Sequence, residues 1–250
     1  MAANSKNAEH ARQLAHLHVP VHAYDSVGST METAHALAQQ GAVDGTLVWA
    51  ARQTAGRGRL GREWVSPEGG VYFSIIARPS RPSAEIPQLS LVAGLAAAES
   101  IRQLTGLSGA IRWPNDLLIN GKKVCGILVE SKTAVVIGIG INVSADPANL
   151  PETATSLNAA GAACDPYALT RAVYERFQHW YAAWGREGFA PVRDALRSWI
   201  GLFGRPVSIT AGSSRFEGTA ADLDESGRLL VRLDAGLLRP FEMGEVTLLR

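Results

Sequence analysis

The stretch QTAGRGRLGREW, residues Gln53–Trp64, carries three arginines and three glycines between Gly56 and Arg62. How it is read decides the fold. Gly56, Gly58 and Gly61 spell G-x-G-x-x-G after an apolar run, GTLVWAARQ, that reads as a strand. A dinucleotide site of that form needs a helix opening at the third glycine, so that the helix N-terminus meets a pyrophosphate. Here Gly61 is followed by REWVSPEGGVYF, and Pro67, Gly69 and Gly70 forbid a helix of useful length. Arginines at the x positions are also superfluous where backbone N–H groups hold the phosphate. The alternative is a flexible cationic loop. Its glycines let backbone wrap closely around a ligand, and its arginine forks pair with phosphate or carboxylate.

The rest of the chain gives that loop a setting. A length of 250 residues suits one large domain, or one with a small appendage. Hydrophobic residues make up 46%, charged residues 19%, and the net charge is +1. Nothing global suggests nucleic acid or a membrane surface, so a cationic site has to be local. Cys125 and Cys164 form neither a metal pattern nor a disulfide framework. With no signal peptide and no long apolar span, the expected location is a reducing cytoplasm. His10, His16, His18 and His22 lie in an N-terminal segment, residues 1–21, expected to be solvated or frayed rather than metal-binding.

METAHALAQQ reads as a helix capped at Ser29 or Thr30 and ended by Gly41, and PQLSLVAGLAAAESIRQLTG as a long helix ending at Gly106. Two more helices are expected over 166–185 and 190–200. GGVYFSIIARP is a strand stopped by Pro79, and Asn120-Gly121 marks a hairpin. From Arg205 short strands broken by Gly-Ser, Ser-Gly and Ala-Gly turns predict a small antiparallel barrel of about 45 residues, with a boundary near Gly201–Gly204.

A second constellation lies in RWPNDLLINGKKVCGILVE, residues 112–130. Asn115-Asp116 forms a polar turn, and a strand would point Lys122 and Lys123 to opposite faces, one to solvent and one to a site. A third piece, GIGINV (138–143), ends an apolar strand on Asn142. In order and spacing these three pieces, with GST at 28–30, resemble the signature motifs of the biotin protein ligases, and the resemblance runs from about His22 to the C-terminus.

The resemblance implies an α+β fold: a mixed or antiparallel sheet with helices on one face over 22–202, then an SH3-like barrel over 203–250. It implies activation of biotin by ATP to biotinyl-AMP, then transfer to a lysine of a biotin carboxyl carrier domain. Two neighbouring readings are a lipoate or octanoyl transferase on the same fold and a non-catalytic biotin-responsive protein; GRGRLGR and WPND argue against the first. By resemblance the catalytic residues are Arg57, Lys123 and Asp116. Ser29, Thr30, Gln53, Arg57, Gly58, Arg59 and Lys123 would bind biotin. Arg57, Arg59, Trp64, Asn115, Lys123 and Asn142 would bind ATP, with Mg²⁺ held through its phosphates rather than by protein ligands. Two departures stand out: Met31 where the family usually has Asn, and Arg112 where it often has Lys. Only about 22 residues precede the catalytic region, which implies a form without the DNA-binding domain some members carry. The expected partners are the carrier domain or, through an open sheet edge, a second copy in a homodimer.

Overall fold

The computed structural model describes residues 2–234, 236–242 and 244–249. Met1 of the expected N-terminal segment, and Ala235, Met243 and Arg250 of the expected barrel, lie outside the described residues.

Seven strands form the main sheet: β1 (Val21–Tyr24), β2 (Leu47–Ala50), β3 (Gly70–Ala77), β4 (Ala110–Arg112), β5 (Asp116–Ile119), β6 (Lys122–Ser131) and β7 (Val135–Asn142). Their order is β1-β2-β3-β7-β6-β5-β4. Only β1 and β2 pair in parallel; the other neighbours are antiparallel. β3 and β7 sit at the centre because both are near-continuous apolar runs, buried on both faces. The β5–β6 hairpin turns on Asn120 and Gly121, both at positive φ, 51° and 77°, as a primed turn requires.

Strand alternation separates two faces. Val71, Phe73, Ile75, Ile137, Ile139 and Ile141 belong to the large core shared with α3 (Leu89–Thr105), α4 (Pro166–Glu187) and α5 (Ala190–Leu196). α3 ends on Gly106 at φ 73°, the left-handed cap glycine supplies without strain. α4 begins with Pro166 after Asp165, whose carboxylate accepts the Ala168 N–H. The expectation of helices on one face fails for α2 (Thr30–Gln39). Its small stripe of Met31, Ala34 and Ala38 packs on Val48, Ile76 and Val136 of the opposite face.

The N-terminal segment also differs from expectation. Ala2–Leu14 form helix α1, with Leu14 fully buried. Tyr167 Oη lies 2.7 Å from His10 Nδ1, and the His10 ring leans on Trp49 at 4.9 Å. The sequence of α1 is too polar to announce a helix. These tertiary contacts decide it, as they do for most short helices.

β8 (Pro206–Ala211), β9 (Ser214–Leu223), β10 (Leu229–Leu233), β11 (Leu238–Phe241) and β12 (Glu245–Leu248) form an antiparallel sheet ordered β11-β10-β9-β8-β12. The strands make the small C-terminal antiparallel unit that the sequence predicts; among the described residues no pairing joins its ends, β11 and β12. It is tied to the main sheet where Trp113 Nε1 donates to the Gly227 carbonyl at 3.0 Å. Trp113→Phe would leave that buried carbonyl without its partner. The expected cost is about 1–3 kcal/mol, read as a lower urea midpoint at unchanged slope; an unchanged midpoint would mean the bond contributes nothing.

Candidate active site

The second face of the sheet has a floor made of glycine. Gly126 of β6 pairs with Gly140 of β7, and Leu128 pairs with Gly138. A Cβ on Gly126 or Gly140 would meet the Trp64 indole, and one on Gly138 would meet the Met31 sulfur. None of the three has positive φ. They are needed for close approach of other groups, which is what glycine inside a strand commonly marks. Above this floor lies a cavity of about 50 Å³. That is room for a few waters, so a larger ligand needs the surrounding groups to lift.

One wall is the start of α2. The Thr30 N–H and hydroxyl both donate to Gln53 Oε1, at 2.8 and 3.1 Å, and Ser74 Oγ donates to Thr30 Oγ1 at 2.9 Å. Gln53 Nε2 donates onward to Ser66 Oγ at 2.9 Å. Ser29 is buried beside them, and its Oγ has no hydrogen-bond partner. A buried hydroxyl without a partner is rare and calls for an explanation. Facing the cavity, it is suited to a polar ligand atom.

The opposite wall is cationic. Lys123 faces the cavity while Lys122 is exposed, as strand alternation predicts. Lys123 Nζ stands 2.6 Å from Asp116 Oδ1 and 5.0 Å from the centre of the Trp64 ring. Arg112 Nη2 donates to Asp116 Oδ2, also at 2.6 Å. Asn115 binds the Ile127 backbone through its side-chain amide and its own carbonyl, both at 3.0 Å. Its remaining Oδ1 accepts from Arg59 Nη1 at 2.8 Å. Burial lowers the Arg59 pKa, with Asp116 pulling the other way; a guanidinium keeps its charge regardless. Behind this wall burial pushes the Cys125 thiol up to about 12, the state of an inert core residue.

The roof is the arginine-glycine loop. It folds as a small hairpin: Gly58 N–H donates to the Arg62 carbonyl at 2.7 Å and Trp64 N–H to Gly56 at 2.9 Å. Leu60 and Gly61, at φ 58° and 73°, form its tip, and Leu60 is 75% exposed. Beyond a single turn at Arg59–Gly61 no helix follows, so the dinucleotide arrangement is absent here. Arg57 lines the cavity and reaches Glu130 Oε2 with Nη2 at 3.3 Å.

Ser29, Thr30, Gln53, Arg57, Gly58, Arg59, Trp64, Asn115 and Lys123 therefore meet around one cavity. Asp116 touches it through Lys123. Asn142 is buried at the end of β7, outside the cavity lining, with Nδ2 on the Thr155 carbonyl at 3.0 Å and Oδ1 without a partner. Sequence reasoning missed the glycine floor and Glu130; Met31, which it marked as a departure from the family, lines the cavity. The alternating glycines of GIGIN, inside so apolar a strand, were the available signal.

Residues 24–142 match the model of the biotin/lipoate A/B protein ligase family, and residues 202–249 match the biotin protein ligase C-terminal domain. The fold is thus that of a biotin/lipoate protein ligase. The chain is 39% identical over 226 residues to the bifunctional ligase/repressor BirA of Bacillus subtilis, covering 86% of this chain and 70% of that protein. It is 36% identical over 204 residues to the biotin--[acetyl-CoA-carboxylase] ligase of Paracoccus denitrificans, covering 76% and 85%. A solved biotin protein ligase from Aquifex aeolicus, in complex with biotin and ATP, superposes with a TM-score of 0.82 at 32% identity, over 92% of this chain and 99% of that one. The chain belongs to the biotin protein ligase family.

Proposed function

We propose that this ligase joins biotin to ATP as biotinyl-AMP and delivers the biotinyl group to a lysine of a carboxylase's biotin carboxyl carrier domain. One observation carries the reading: three cations, Arg57, Arg59 and Lys123, surround a cavity that also holds the unpartnered Ser29 hydroxyl. In the first step a biotin carboxylate oxygen attacks the α-phosphorus and pyrophosphate leaves. Two anions meet, so preorganised positive charge lowers the barrier. Lys123, steadied by Asp116, would bridge the carboxylate and the α-phosphate. Ser29, Thr30 and Gln53 would bind the ureido head, with Gly58 backbone beside it. The glycine floor would accept the flat, apolar part of the ligand. Arg59, Trp64 and Asn115 would face the nucleotide, with Asn142 at its margin.

In the second step the carrier's lysine nitrogen attacks the acyl carbon. AMP leaves and the nitrogen loses a proton. Asp116, the carboxylate paired with Lys123, would orient the incoming lysine. No group of three His, Cys, Asp or Glu among the described residues can hold a metal. The carboxylates of Asp116 and Glu130 are each already paired with two or more side chains. Mg²⁺ would therefore arrive on the oxygens of the ATP phosphates, where it offsets their charge. Past Ile127, whose backbone Asn115 still holds, β6 outruns β5, and a carrier strand or a second copy would add on that edge.

Exchange of labelled pyrophosphate into ATP tests the reading. Biotin should drive it, and lipoate and octanoate should not; exchange with either of those and none with biotin would overturn it. The same chemistry needs a closing roof that excludes water. Trypsin cleavage after Arg57, Arg59 or Arg62 should therefore fall sharply when biotin and ATP are added. Equal cleavage with and without them would count against loop closure.

A further inference from the structure

Glu130 lies on the cavity face of β6, just past Leu128, and its Oε2 is a meeting point. His35 Nε2 stands 3.0 Å away, Arg57 Nη2 at 3.3 Å and Lys132 Nζ at 3.3 Å. His35 comes from α2 and is buried. Burial lowers its pKa despite the carboxylate beside it. That favours the neutral ring, with Nε2 placed to donate a hydrogen bond to the carboxylate. It anchors the carboxylate without cancelling its charge, which stays directed at Arg57 and Lys132. Burial resists the charge on Glu130, but Arg57, His35 and Lys132 together hold its carboxyl below the usual range.

We propose that Glu130, fixed by His35, is a positioning residue for Arg57. Arginine is a long side chain whose rotamer freedom is lost when it binds an anion. Arg57 also sits on a glycine-flanked loop, which adds backbone freedom. Glu130 grips one Nη of the fork and leaves the rest of the guanidinium for a carboxylate or phosphate in the cavity. Glu32 Oε1, 3.9 Å from Arg57 Nε, adds a weaker restraint from α2. Part of the ordering of the roof is thus complete before the anion enters. The inference rests on the ligase reading above and adds residues that touch no substrate.

A double-mutant cycle on biotin-dependent pyrophosphate exchange tests it, at biotin well below saturation. Glu130→Gln keeps the shape and removes the charge. It is expected to slow exchange roughly tenfold in the wild-type background, and by about twofold or less when Arg57 is already Ala. His35→Gln should show a smaller loss with the same disappearance in the Arg57→Ala background, which keeps the test open if the Glu130 variant folds poorly. Equal losses in both backgrounds would mean Glu130 acts on the fold and not through Arg57. Faster exchange by Glu130→Gln would mean it holds Arg57 away from the ligand; either result overturns the proposal. Exchange absent from the wild type itself would instead overturn the ligase reading, and this inference with it.

Discussion

Lys123→Ala is expected to abolish adenylate formation while leaving the fold intact. The fold should survive because the residue's structural duties belong to its backbone. Its N–H donates to the Thr153 carbonyl at 2.9 Å, and its carbonyl accepts from Thr155 at 2.9 Å. Its side chain reaches the cavity, and in the proposed mechanism its ammonium meets biotin's carboxylate and the α-phosphate. Asp116 holds it there at 2.6 Å, so little reorganisation is needed when the charges meet. One well-placed charge in such a site is worth roughly 3 kcal/mol or more, over a hundredfold in rate. Quenched-flow detection of biotinyl-AMP, with circular dichroism as a folding control, reads the outcome. Adenylate formation near the wild-type rate would remove Lys123 from the chemistry.

Arg59→Gly should leave the enzyme working but leaky. Arg57 and Lys123 remain to support the first step. What is lost is the 2.8 Å bond from Arg59 to Asn115, which ties the loop to the turn leading into Asp116. A fourth glycine also joins the Gly56–Gly61 segment and loosens it. A loss of roughly 2–3 kcal/mol in closure raises the open population about 30- to 150-fold. Biotinyl-AMP would then escape and acylate exposed lysines on proteins that never dock. Incubation with biotin, ATP and an unrelated lysine-rich protein, followed by a biotin blot, shows whether it does. An unlabelled bystander alongside a running first step would move the retention role to Arg57, Arg62 or the 144–156 loop.

What could be read from the sequence was mostly local. Asn120-Gly121 demands a primed turn, Gly106 a left-handed cap, and Pro67 with Gly69 and Gly70 denies a helix after Gly61. Each of these follows from the backbone rules of single residues. The signature pieces could be listed, and nearly all of them meet at one cavity. The features that were missed arise between segments distant in sequence. The floor exists only when Gly126 and Gly140 pair across strands and Trp64 lies on them. His35 and Glu130, 95 residues apart, meet only because α2 crosses the site face of the sheet. α1 was invisible for the same reason: its polar sequence gains order from Tyr167, Trp49 and Asp25, not from its own periodicity.

Transfer to a carrier tests the central claim most directly. The protein is incubated with biotin, ATP, Mg²⁺ and a purified biotin carboxyl carrier domain, and the carrier is analysed by intact mass and peptide mapping. The expected result is one biotinyl group on a single lysine, lost when biotin or ATP is omitted or when that lysine is changed to arginine. A carrier that stays unmodified while the protein is folded would contradict it, as would modification that proceeds without ATP.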